Sequence, residues 1–541
     1  MTSDNHVLNL NCNLPGKTAW QHFTELCRHP ADTQQKLLTK IIKNATNSQI
    51  GRKYNFSEIK TIDDFRRKLP LTNWSDYTNY IEQMKSGQPD ILFNGQPTAF
   101  IITSGTSGKN KFIPESKTGS TAKIMTDKLR RNFTLEAYPH TESSRVLALV
   151  NSASLGHTNG GTIFGTASGL TLMQLAKQFA SISAFPLPVM KISDNYARDY
   201  AIMRFAMAQD VRFIVSNNIA GFEKLTISAD KNLQEICRDI KNGSLSTKFN
   251  IPQKIRSELA PSLLPNPERA EKILNLKQKY NEIYPAHYWP DLNVVCCWLS
   301  GSVGKGVDRV KHLFPENVDY LDYGYGASEG KFNIPHTPGI SAGPPAIHAA
   351  FYEFIPADSN SNETLLLHQL QQNREYSMII TTYAGLYRYK MHDIIRVDGF
   401  YKNTPEITFV SKTADIGNMV GEKLSAMSII AAANKLTPEF GNIQHTCAVL
   451  SPDASTPYYT FYIEFTTAAN ASPNDIAEKM DNYLKQNIGY ANKRRDSLLA
   501  PPKIKIMPSG WQNSLYAKKT KTGISTAQIK LPIIYNKTPP Q

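Results

Sequence analysis

The sequence predicts an α/β protein, with a large N-terminal α/β part followed by a smaller α+β unit. Three observations lead there. Short apolar runs of β type alternate with helix-like stretches up to about residue 320. The pattern then turns strand-rich between residues 351 and 410. The remainder reads helix, strand, strand, helix, strand, a self-contained α+β set. At 541 residues the chain has the length of about three or four domains of roughly 150 residues. That is ample to bury large cores.

Taken in order, residues 17–47 read as helix, because Trp20, Phe23, Leu26, Leu37, Leu38 and Ile41 recur at a spacing near 3.6. Residues 99–102 form a β-type run and residues 118–137 a helical one. Strand is expected at 145–150, helix at 196–209 and strand again at 211–215. The uninterrupted apolar run 294–298 reads as a buried strand, with helix near 303–312 and strand near 318–321. The strand-rich stretch contains FYEFIP, YSMIITTY, GLYRYK and EITFV. Beyond it come helix at 423–436, strands at 443–450 and 458–465, helix at 474–487 and a short strand near Ile504. The break after Val410 and the glycine-containing link 415–421 set the boundaries. They give a large domain 1–411, a hinge 412–422 and a small domain 423–541.

Hydrophobic residues make up 41% and charged residues 20% of the chain, which excludes an intrinsically disordered protein. The six cysteines show no CxxC and no partner His at zinc spacing. That argues against a disulfide scaffold or a structural zinc and suits a reducing compartment. The opening residues lack a basic stretch followed by an apolar one, so a secretory signal is not expected. No apolar run reaches the roughly 18 residues of a membrane span. The expected setting is cytoplasmic, with export by a non-classical route left open and no integral membrane association.

The net charge is +14, and residues 485–541 carry eleven Lys and Arg against Asp496 alone, a surplus of +10. A solvated basic face, a surface for phosphate-bearing small molecules, and a patch for nucleic acid, anionic membrane or an acidic protein all fit such a surplus. Regular aromatic interleaving and any named nucleic-acid motif are missing, which disfavours nucleic acid.

The sharpest local feature is TSGTSGKNK, residues 103–111, directly after a predicted strand. Glycines and small hydroxyl residues let the backbone approach phosphate oxygens, and a lysine adds a point charge. It is not a Walker A loop, because Gly105 and Gly108 are only three apart and Asn110 stands where Ser or Thr is needed. Gly301-Ser302-Val303-Gly304-Lys305-Gly306 fails the same test. Gly324-Tyr325-Gly326-Ala327-Ser328-Glu329-Gly330 comes close to a dinucleotide fingerprint, but Glu329 replaces its third glycine. A carboxylate there repels a pyrophosphate unless Mg²⁺ intervenes.

TSGTSG-x-x-K after a strand, YGASE some 220 residues later, then GLYRY-x-x-x-D and GEK form an ordered set. This set resembles the auxin-responsive-promoter-type acyl acid amido synthetases, here as a bacterial-type member. That family belongs to the adenylate-forming superfamily of acyl-CoA synthetases, luciferases and nonribosomal adenylation domains. IGRKYNF, SNNIAGFEKL, YWPDLNVV, FYEFIP, QNIGYANKRR and AQIKLP extend the resemblance over most of the chain.

The resemblance implies the adenylate-forming fold, an active site between a large domain and a small mobile one, and use of ATP and Mg²⁺. A carboxylic acid attacks the α-phosphate to give acyl-AMP and pyrophosphate, and an amine acceptor then expels AMP. Ser104, Gly105, Thr106, Ser107 and Lys111 match the phosphate loop, with Lys111 as its catalytic cation. Gly301 and Ser302 line the adenine pocket. Tyr325 packs on adenine, flanked by Gly326 and Ala327. Ser328 contacts phosphate or the substrate carboxylate, and Glu329 holds Mg²⁺. Asp393 accepts from the ribose hydroxyls, Lys412 lies on the nucleotide, and Lys530 bridges the attacking carboxylate and the α-phosphate, with Lys519 and Lys521 as rivals. Two positions depart from the family pattern. His392 replaces the usual glycine before the acid, and Lys412 replaces the usual arginine. If position 392 has a positive φ, His392 carries strain. Lys412 keeps the charge but loses the planar fork. Three other functions stay open: an acid–thiol ligase making acyl-CoA, acyl or adenylyl transfer to a macromolecule, and nucleotide binding without turnover. An acidic macromolecular acceptor, docked by the basic C-terminal stretch, also stays open.

Overall fold

A computed structural model describes residues 16–541 apart from 104–110, 140–143, 150–155, 175, 217–218, 301–304, 360, 413–415, 418, 421, 423, 453, 468–470, 521–530 and 536–541. The chain divides into two compact units. One comprises residues 1–391 and 396–408, the other residues 392–395 and 409–541.

The first unit is built around a four-stranded parallel sheet. Its strands Arg145–Leu149, Val211–Ser216, Val294–Cys297 and Asp319–Asp322 lie side by side in chain order. Every residue of Val294–Cys297 is buried, as expected of a parallel strand covered on both faces. Helix Asn195–Met207 crosses between the first two strands and is buried along most of its length, with Asp194 accepting from the Ala197 amide at its start. Leu147, Met203, Ile214, Trp289 and Val295 belong to the core this sheet shares with its helices. Within the expected helix 303–312, Lys305–Val310 is α-helical and a 3-10 turn, Lys311–Leu313, follows.

The helical reading of 17–47 resolves into two helices, Gly16–Arg28 and Pro30–Lys43. The break falls at His29, at φ −127° and ψ 59°, because a proline pushes the preceding residue out of the helical region while itself fitting a first turn. Strand Ala99–Thr103 pairs antiparallel with Lys111–Glu115, Thr103 opposite Lys111. Helix Lys117–Ala137 follows at once, capped by Ser116, whose Oγ accepts from the Gly119 amide at 3.0 Å. The strand-rich stretch forms a five-stranded sheet in the order Leu365–Leu366, Ala350–Pro356, Glu375–Thr382, Tyr389–Tyr401, Thr404–Lys412.

The second unit holds a four-stranded sheet in the order Lys503–Met507, Tyr458–Phe465, Ile443–Ser451, Ile534–Tyr535. The central pair is antiparallel and both outer strands run parallel to their neighbours. Helices Ala426–Phe440 and Pro473–Leu484 share one core with it through Ile429, Leu436, Ile476, Met480, Tyr459 and Phe461. Trp511 and Leu515, from helix Trp511–Thr520, pack with Cys447, Val449 and Tyr462 on the alternate positions of the strands. Part of the C-terminal positive charge is engaged internally. Arg494 forks onto Asp481 at 2.8 and 3.0 Å, and Lys485 reaches the same carboxylate at 2.8 Å. Five cysteines, Cys27, Cys237, Cys296, Cys297 and Cys447, are buried and unpaired. Among the described residues, no helix is long and apolar enough to cross a membrane.

Candidate active site

The segment after strand Asp319–Asp322 is held by its backbone at every step. The buried Asp322 carboxylate accepts from the Gly324 amide at 2.6 Å, the Leu299 amide at 3.0 Å and the Ser341 hydroxyl at 2.5 Å. Burial pushes this carboxyl above its ordinary range, against the pull of those three donors. Gly324 turns the chain at φ +83°, and a Cβ there would meet the Asn333 carbonyl oxygen at 2.9 Å, so only glycine fits. The Trp298 indole donates to the Gly324 carbonyl at 3.1 Å. Asn333 then receives the Tyr325 amide at 2.6 Å and donates to the Ser341 and Ile407 carbonyls. Tyr325 itself is 7% exposed, its ring 5.0 Å from that of Phe332.

Gly326–Ala327 and Gly330–Lys331 pair antiparallel, so Ser328 and Glu329 form the tip of a tight hairpin. A dinucleotide fingerprint requires a strand that turns into a helix. The hairpin removes that reading of the glycines and leaves Glu329 half-buried at its tip. Lys111 opens the strand after the glycine-rich stretch, and its ammonium lies 5.4 Å from the centre of the Trp74 ring. Ser104, Gly105, Thr106, Ser107, Gly301, Ser302 and Lys530 lie outside the described residues.

In the second unit Asp393 is 1% exposed, and its Oδ1 accepts from the Lys412 ammonium at 2.6 Å. A lysine ammonium thus meets this carboxylate where an arginine would present a planar fork. His392 has φ +55°. The strain expected from a side chain at this position is therefore present, though histidine tolerates the left-handed region better than most residues. We expect His392→Gly to be neutral or stabilising. His392→Val should cost about 1–2 kcal/mol, because a β-branched residue is an outlier there. Thermal unfolding of the three chains checks this, and an unchanged midpoint for His392→Val would contradict it.

Sequence reasoning passed over four residues that build this region: Asp322, Asn333, Lys123 and Asp127. The first is legible afterwards as an Asx turn, an aspartate two residues before a glycine. Lys123 and Asp127 stand four apart on helix Lys117–Ala137, a spacing that puts both on one face.

Comparison with known proteins completes the identification. Residues 19–318 match the GH3 family N-terminal domain, 344–412 its central domain and 425–539 its C-terminal domain. The chain belongs to the GH3 family. It is 22% identical to a jasmonoyl–L-amino acid synthetase of Nicotiana attenuata, over 95% of this chain and 92% of that one. It is likewise 22% identical to an indole-3-acetic acid-amido synthetase of Arabidopsis thaliana, over 90% of each. Among solved structures, a GH3 acyl acid amido synthetase superposes with a TM-score of 0.81 at 18% identity, covering 96% of this chain and 94% of that one. A 2-hydroxyisobutyryl-CoA ligase superposes with a TM-score of 0.52 at 12% identity, over 93% and 89%. The fold is thus the α/β adenylate-forming fold. At the level of the family, this is a ligase of acyl acid amido synthetase type, and membership implies ATP use.

Proposed function

We propose that this GH3 protein activates a carboxylic acid with ATP and passes the acyl group to an amine, an amino acid or a related acceptor. In the first half-reaction a carboxylate oxygen bonds to the α-phosphorus and the bond to pyrophosphate breaks. In the second the amine nitrogen bonds to the acyl carbon, AMP leaves, and the nitrogen gives up a proton. The observation that carries this reading is the braced hairpin, which fixes Tyr325, Ser328 and Glu329 on one short segment through Asp322, Gly324 and Asn333.

The donor chemistry fits Mg²⁺. Among the described residues no group of three or more His, Cys, Asp or Glu forms a metal cage. Mg²⁺ in nucleotide sites is held through one or two carboxylates together with substrate phosphates, and Glu329 supplies one. When bound, Mg²⁺ would offset the negative charge of the phosphates. In this reading Ser104, Gly105, Thr106, Ser107 and Lys111 cradle phosphate, Gly301, Ser302 and Tyr325 receive adenine, and Asp393 takes the ribose. Lys530 joins the acid to the α-phosphate. We place the chain in a bacterial-type branch of the family, at 21–24% identity to the plant relatives.

Carboxylate-dependent ATP–pyrophosphate exchange with Mg²⁺, over a panel of aromatic, fatty and amino acids, tests the reading. Exchange with one class of acid is expected, falling at least about 100-fold in Lys530→Ala. No exchange with any acid would refute it. Supplying an amino acid or coenzyme A in the second step separates amide from thioester formation. If the remaining C-terminal charge docks an acidic acceptor, raised salt will depress the second step and leave exchange unchanged.

A further inference from the structure

Helix Lys117–Ala137 starts two residues after the strand that leaves the glycine-rich stretch, and it runs past the 326–331 hairpin. Two of its side chains grip that hairpin. The Lys123 ammonium pairs with the Glu115 carboxylate and also donates to the Ser328 carbonyl at 3.3 Å. Ser120 Oγ donates to the second Glu115 oxygen at 2.9 Å, so the carboxylate that orients Lys123 is itself oriented. One turn along, Asp127 takes the Lys331 ammonium, with Arg130 at 2.5 Å on its other oxygen. Burial works to raise the Asp127 carboxyl, but Lys331 and Arg130 outweigh it and hold it below the ordinary range.

The hairpin is therefore pinned on both sides of Glu329. Ser328 immediately precedes Glu329, and Lys331 follows it by two. The Lys123 and Glu115 side chains are only 17% and 6% exposed, so solvent screens this pair little. A fixed ammonium on the Ser328 carbonyl orients the 328–329 peptide plane, and that plane sets where the Glu329 carboxylate points.

We propose that Lys123 is a positioning residue for Glu329, acting through the Ser328 carbonyl to present the carboxylate to Mg²⁺·ATP. The proposal rests on the reading of Glu329 given above. Groups that orient a metal ligand from behind cost about 10–100-fold in metal affinity when removed.

The test is the Mg²⁺ dependence of ATP binding to the full chain, measured by titration calorimetry. Lys123→Met alone leaves the buried Glu115 carboxylate unpaired and endangers folding. The deciding variant is therefore Lys123→Met with Glu115→Gln, which removes the orphan charge. It is expected to fold and to need about tenfold more Mg²⁺ for half-maximal ATP binding, while Lys123→Arg stays near wild type. A merely structural lysine would leave the Mg²⁺ requirement of the double variant unchanged, and that result overturns the proposal. Glu329→Gln separates the two levels. If it raises the requirement and the double variant does not, only the role of Lys123 falls. If it too leaves the requirement untouched, the reading of Glu329 fails and the proposal with it.

Discussion

Replacing Asp393 with alanine is expected to weaken ATP binding about 100-fold. A carboxylate that accepts from two ribose hydroxyls makes two hydrogen bonds to a charged group, each contributing roughly 1.5–3 kcal/mol. Together these correspond to a factor of a hundred or more. The location supports a factor of at least this size. Asp393 is 1% exposed and already held by Lys412 at 2.6 Å, so it arrives oriented and loses little side-chain entropy on binding. Lys412→Ala should cost less, because it removes the orienting partner and leaves the acceptor in place. The specific signature is discrimination between ATP and 2′-deoxy-ATP. The wild type should bind the deoxy nucleotide more weakly, and Asp393→Ala should bind both alike. Equal binding of the two nucleotides by the wild type would show that Asp393 does not read the ribose.

Why the fold was legible and parts of the site were not follows from the range of the interactions. Periodicity is local, so strands such as 211–216 and 458–465 and the helix 117–137 stand out within a residue or two of their bounds. Pro30 breaks a helix whose apolar spacing continues across it; the pattern records which faces are buried but not the missing amide. The two-residue strand Ile534–Tyr535 has no pattern of its own and exists because it pairs beside Ala448 and Val449. The glycine cluster 324–330 was visible, but its shape was not. Gly324 is glycine because the Asn333 carbonyl approaches it, and a contact nine residues away leaves no local mark. His392 was the opposite case. A single departure from the family pattern raised the question of a positive φ, and the backbone has one. Lys123 escaped notice because a helical lysine is ordinarily solvated. Only the fold places Ser328, 205 residues later, above its ammonium.

The largest stability effect is expected at Glu353. Glu353 lies on strand Ala350–Pro356 and is 1% exposed. Arg388 forks onto it, Nε to Oε2 and Nη2 to Oε1 at 3.0 Å each, and Arg66 Nε reaches Oε1 at 3.0 Å. Thr364 adds a hydroxyl at 2.6 Å. Arg388 also donates to the Leu69 and Arg66 carbonyls at 2.7 and 3.1 Å, and its φ is +47°. The surroundings hold that backbone in a region that a bulky residue normally avoids. One carboxylate thus ties the strand to the segment 66–69 and to the GLYRY turn. Glu353→Ala leaves two guanidinium groups, one of them 8% exposed, without their counter-charge. Breaking a buried pair from one side costs about 3–5 kcal/mol, most of it from the charge left behind. Glu353→Gln keeps the volume but turns an amide N–H toward donors, and should recover only part of that loss. A surface pair supplies the control. Glu25 faces Arg28 and His29 with 63% of its side chain exposed, and Glu25→Gln should change stability by less than about 0.5 kcal/mol. Denaturant unfolding followed by tryptophan fluorescence separates the two cases. If Glu353→Ala unfolds at the same denaturant concentration as Glu25→Gln, the network around Glu353 contributes nothing to holding the GLYRY turn against the strand.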